Sequence, residues 1–87
     1  MAQDFDSVFI WISAGVRLSV SDVIKAADIL LNRWPREFLS TPAHLAAREA
    51  CLQAWEGQKG YDLARSAFIA AAAEADILAT APVRPKR

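Results

Sequence analysis

Apolar residues recur at every second position near the start of the chain and at every third or fourth position after it. Val8, Ile10 and Ile12 fall on one side of an extended chain, and Phe9 and Trp11 on the other. This β-branched and aromatic run stops at Ala14-Gly15 and resumes as Val16-Arg17-Leu18-Ser19-Val20, which predicts a β-hairpin with Gly15 in its tight turn. From Val20 the spacing becomes helical, through Val23, Ile24, Ala27, Leu30, Leu31 and Trp34. Ser21 is a good N-cap and Asp22 suits the positive end of a helix dipole, so a first helix is expected over Asp22 to Arg33, stopped by Pro35.

Thr41-Pro42 is a second start signal, a capping hydroxyl followed by proline at the first helical position. The stripe Ala43, Ala46, Ala47, Ala50, Cys51, Ala54 and Trp55 follows, and Gly57 and Gly60 are expected to end this second helix through a left-handed cap. A third helix is expected from Tyr61 to Leu78, burying Ala64, Ala67, Phe68, Ala71, Ala75 and Leu78. Small side chains on both helices allow close backbone approach, which predicts a tight antiparallel pair. The order strand, strand, helix, helix, helix is an α+β (ββααα) layout, a small antiparallel sheet packed on a helical layer. The expected organisation is a flexible segment over 1–7, one domain over 8–79, and a mobile basic tail over 80–87 with Pro82, Arg84, Pro85, Lys86 and Arg87.

A chain of 87 residues buries only about 60 to 65% of the surface its unfolded form exposes. Both faces of the first strand are apolar, and an isolated two-stranded hairpin is marginal and leaves edges open to pairing. A homodimer through the hairpin is therefore expected. In the alternative, helix one covers one face while the N-terminal segment and the end of helix three cover the other. Ten Lys plus Arg balance ten Asp plus Glu, so no overall field draws the molecule to nucleic acid, and the three tail cations would give only weak, salt-sensitive contact. The apolar run at Val8–Ile12 follows Asp4 and Asp6 rather than a basic segment, and Ala67–Ala81 is interrupted by Glu74 and Asp76, so neither a signal peptide nor a membrane span is expected. A single cysteine excludes an intrachain disulfide framework and suits a reducing cytoplasm.

Chemistry-bearing residues are few. His44 and Cys51 stand two helical turns apart, about 10 Å along the axis, too far for a nucleophile and its base. Cys51 is expected to be structural, and no metal-ligand cluster or cofactor motif accompanies His44. Glu74 and Asp76, two apart, cannot face one spot on a helix. Gly57-Gln58-Lys59-Gly60 lacks the strand and spacing of a phosphate-binding loop. In one reading His44, Arg48 and Arg65 meet across the helix pair as a small basic pocket for a carboxylate or phosphate, since Arg offers a planar donor fork. The plainer alternative has Arg65 paired with Asp62 or Glu49, or donating to carbonyls that end helix one or two.

These residues together resemble a family of short, uncharacterised bacterial proteins catalogued as a domain of unknown function, number nine hundred and eighty-two. The likeness rests on the hairpin with Gly15, on Trp34-Pro35, on Ala47, Cys51, Ala54 and Gly57, and on Ala64-Arg65, Phe68, Ala71 and Ala75. In that family a small residue, often glycine, follows the alanine near the end of the last helix. This chain has Asp76 there, which implies a longer or differently capped terminus. The resemblance implies the fold and a bacterial, cytoplasmic setting, and carries no activity. The expectation is a non-enzymatic, dimeric interaction or regulatory module with an unknown protein partner, or otherwise a small anionic-ligand binder using Arg48, Arg65 and His44.

Overall fold

The computed structural model describes residues 4–13, 15–57 and 60–79. Among them are two strands, β1 (Asp4–Ser13) and β2 (Val16–Asp22), and three α-helices, α1 (Val23–Asn32), α2 (Pro42–Gly57) and α3 (Tyr61–Glu74), with a 3-10 turn at Arg36–Phe38. This is the expected α+β layout. The expected tail over 80–87 lies outside the described residues.

The strands pair antiparallel, with Val8 opposite Val20, Phe9 opposite Ser19, Ile10 opposite Leu18 and Trp11 opposite Arg17. Gly15 holds the turn with φ 76°, a conformation that costs glycine nothing. Alternation puts Val8, Ile10 and Val20 fully into the core and turns Phe9 and Trp11 outward. Arg17 lies over the Phe9 ring at 5.0 Å, covering part of the outer face, while Trp11 stays 42% exposed. β1 begins at Asp4, well before Val8, so the flexible segment expected over 1–7 is strand from its fourth residue. Phe5 joins the core although its odd position predicts the outer face. A register shift between Asp4 and Val8 supplies the reason, because one irregular residue reverses the sidedness of everything before it.

β1 gains a second neighbour from the far end of the chain. Ile10 bridges Leu78 antiparallel, the Trp11 amide donates to the Ile77 carbonyl (2.7 Å), and the Ala79 amide donates to the Phe9 carbonyl (2.7 Å). The open edge expected on this strand is thus closed within the chain, edge to edge rather than by a helix end lying over the outer face. α3 stops at Glu74 to allow it, four residues before the expected end at Leu78. The stop is a Schellman motif: Asp76, at φ 61°, donates its amide to the Ala73 carbonyl (3.1 Å), and Ile77 donates to Ala72 (3.0 Å).

The helix starts and seams follow local chemistry. Asp22, not Ser21, caps α1, its Oδ1 accepting from the Lys25 amide at 2.7 Å. Thr41 caps α2 as expected, with Oγ1 accepting from the His44 amide at 3.2 Å and Pro42 at the first helical position. Gly57 is the last residue of α2, and the left-handed glycine is Gly60, which caps the start of α3 at φ 79°. Ala47, Cys51 and Ala54 of α2 are buried along with Ala64, Phe68 and Ala71 of α3. α1 is rotated from the expected stripe: Val23, Ala26, Ile29 and Leu30 are buried, while Ile24 and Leu31 are 57% and 56% exposed.

Asp76 occupies a left-handed position where a Cβ costs about 1 kcal/mol and glycine costs nothing. Asp76→Gly is expected to stabilise the fold by about 0.5 to 1 kcal/mol and Asp76→Ala to destabilise it, read as opposite shifts of the urea midpoint at constant slope.

Candidate functional site

His44 is almost wholly buried. Its Nδ1 accepts from the Ser40 amide at 3.0 Å, and its Nε2 donates to the Leu30 carbonyl at 2.8 Å. The Ser40 N–H can only donate, which makes the ring the Nε2–H tautomer. Leu30 lies in the last turn of α1, where carbonyls lack intrahelical partners, so His44 caps the neighbouring helix. Ser40, at φ 65°, aims its amide at the ring from a left-handed conformation. With both nitrogens engaged on backbone, His44 has no donor or acceptor left for a ligand.

Arg65 sits elsewhere. Its Nε donates to the Asp6 carbonyl at 3.0 Å and ties α3 to β1, a strand partner in place of the helix-end carbonyls or acids expected. Arg48 faces a third place, the groove between α1 and α2. The three residues expected to form one basic pocket therefore serve three separate surroundings. Trp34 lies between His44 (ring centroids 5.7 Å apart) and Phe68 (5.8 Å), its buried Nε1 without a hydrogen-bond partner among the described residues. Pro35 follows at the start of the 3-10 turn. Cys51 is buried, and desolvation pushes its thiol up to about 11 from 9.0, so at neutral pH it is a protonated apolar side chain and not a nucleophile.

A groove of about 590 Å³ lies between α1 and α2. Ile24, Ala27 and Leu31 form one wall, spaced by three and four residues on α1, and Leu45, Leu52 and Trp55 form the other on α2. Arg48 and Glu49 are its charged residues, and Val23 and Cys51 are its floor. Five of these side chains are large, apolar and about half exposed, with Leu52 at 48% and Trp55 at 50%. Such a surface binds by burying area, and no activated nucleophile or paired acid lines it. A shallower cleft of about 470 Å³ lies between the hairpin tip and the end of α1, at Trp11, Ile12, Arg33, Trp34, Pro35 and Ile77.

The groove was missed in the sequence because helix two was read by its alanines. A signal existed: Leu45 and Leu52 lie at helical spacing with Trp55, which the expected stripe placed among the alanines and which is 50% exposed. Among the described residues no group of three His, Cys, Asp or Glu side chains is placed to hold a metal ion, and no helix is long and apolar enough to cross a membrane.

The family model described as "Protein of unknown function (DUF982)" matches residues 6–79. No curated protein and no solved structure gives a match.

The Cys51 thiol generates a pH dependence. Its folded value lies above its unfolded one, so its contribution is complete below pH 9 and is lost as pH rises toward about 11, where the unfolded chain ionises and the native chain does not. Between these limits the natural chain is expected to lose about 2 to 3 kcal/mol more than Cys51→Ala, measured by urea unfolding of both at each pH.

Proposed function

The chain belongs to the DUF982 family, whose description assigns no activity, and from that premise we propose that it is a cytoplasmic, non-catalytic protein-interaction module whose contact face is the α1–α2 groove. The observation that carries this reading is the concentration of Ile24, Leu31, Leu45, Leu52 and Trp55, all about half exposed, on one concave face. An apolar patch of this kind marks an interaction surface. A non-catalytic role is supported by the fate of the reactive groups: His44 is consumed by Ser40 and Leu30, and Cys51 is buried and protonated. The small anionic-ligand reading draws no support from the geometry, since Arg48 stands in the groove beside Glu49 without His44 or Arg65.

A second reading, self-association through the hairpin, is favoured by one observation. Among the described residues β2 has β1 as its strand partner and no second strand on its other edge, and Trp11 presents an exposed indole on the adjoining face.

Charge placed in the groove should abolish partner capture, and charge placed elsewhere should not. Affinity capture with the natural chain, Leu52→Glu and Leu63→Glu compares the groove with an exposed leucine on α3. The expected result is a defined partner retained by the natural chain and Leu63→Glu, and reduced at least tenfold with Leu52→Glu. Equal capture by all three would refute the groove as contact face.

A further inference from the structure

We propose that the occupant of the α1–α2 face is a second copy of this chain, the two α2 helices crossing antiparallel about a twofold axis between Arg48 and Glu49. The inference rests on the interaction-module reading and names its partner. Its basis is a palindrome in the exposed stripe of α2. Leu45, Arg48, Glu49 and Leu52 are symmetric about the midpoint between Arg48 and Glu49. An antiparallel α2 from a second copy, centred on that point, sets Leu45 against Leu52 and Arg48 against Glu49, and the twofold axis repeats both pairs. Trp55 then reaches the Pro42 end of the opposite helix. A parallel arrangement would put Arg48 on Arg48 and Glu49 on Glu49, so the charges select one orientation.

The exposure of the side chains fits this use. Leu45 is 46% and Leu52 48% exposed, and Glu49 Oε2 accepts a hydrogen bond from Gln53 Nε2 at 3.1 Å one turn along α2. The axis falls within one residue of the middle of α2, so the sixteen-residue helices overlap along nearly all of their length, about 24 Å. Ile24, Ala27 and Leu31 of α1 widen the apolar face beside them, and two such helix pairs face to face make a four-helix core. The five half-exposed apolar side chains offer on the order of 500 Å² per copy, which with its twin reaches the roughly 1,000 Å² that a specific interface needs.

Sedimentation equilibrium of the full chain over roughly 1 μM to 1 mM tests the proposal. The natural chain is expected at twice the mass of one chain. Arg48→Glu and Glu49→Arg, each alone, bring like charges together twice and should weaken the dimer at least tenfold. The double swap should restore it, and so should an equimolar mixture of the two single variants, because each supplies the charge the other lacks. Leu52→Glu should be monomeric and Trp11→Glu dimeric. A monomeric natural chain, or a mixture of the single variants that fails to associate, would overturn the proposal. So would a dimer broken by Trp11→Glu and indifferent to Leu52→Glu, which would assign self-association to the hairpin. A monomer whose capture of another protein is still lost with Leu52→Glu would remove the second copy as occupant and leave the interaction module in place.

Discussion

Trp34 holds the domain together at one point. Its ring lies against His44 at the start of α2 and against Phe68 in the middle of α3, and it leaves α1 immediately before Pro35. His44 adds directional bonds to this contact, gripping the last turn of α1 through Leu30 and the approach to α2 through Ser40. One tilted aromatic cluster and two hydrogen bonds thereby join the end of α1 to α2 and α3. Among the described residues the buried Trp34 Nε1 has no hydrogen-bond partner, and the ring is held by packing on both sides. The α2–α3 seam makes the stack possible, because alanines at 47, 54, 64 and 71 let the two backbones come close enough for Phe68 to reach across. The groove follows from the same constraint. Once His44 fixes the start of α2 to the end of α1, the outward faces of both helices are held side by side.

Elements specified by neighbouring residues were legible in the sequence. The hairpin turn at Gly15, the Thr41-Pro42 start of α2 and the alanine seam depend on contacts a few residues long or on a plain helical period. What escaped depends on distant residues. The end of α3 is set by β1, whose carbonyl at Phe9 and amide at Trp11 draw Ala79 and Ile77 into pairing. An apolar helical period running through Ile77 and Leu78 cannot reveal that a strand seventy residues earlier offers a better partner. Asp76 stands where a small residue, often glycine, is usual in the family, and the left-handed cap it forms is the physical content of that difference. Phe5 was lost to a bulge, which period-2 reasoning cannot see.

The site was less legible for a reason of size. On α2 two stripes compete, one of alanines with His44 and Cys51 and one of leucines with Trp55. Reading by hydrophobicity favours burying the larger stripe, and reading by close approach favours the smaller. The helix obeys the second rule on the side facing α3 and leaves the first unsatisfied. α1 repeats the pattern, burying Val23, Ala26, Ile29 and Leu30 while Ile24 and Leu31 face outward. Helical spacing shows that a stripe exists and says nothing about which neighbour it meets. His44, Arg48 and Arg65 illustrate the same limit. They lie on helices that do pack together, yet their side chains leave those helices toward three different places.

Surplus apolar surface thus has two outlets, and they are not equal. On the hairpin, Arg17 already lies over Phe9, and Ile77–Ala79 already closes the far edge of β1, so the greasiness of that strand is largely spent inside the chain. Over the groove Ile24, Leu31, Leu45, Leu52 and Trp55 stay about half exposed, and its charged residues are set at the centre of the α2 stripe, opposite in sign and adjacent in sequence. A surface meant only to stay soluble gains more from charges scattered over it. In the proposed dimer, two opposite charges flanked symmetrically by leucines would instead specify orientation, as charged positions do where helices choose partners. The surplus therefore concentrates on the helical face, where pattern and area agree.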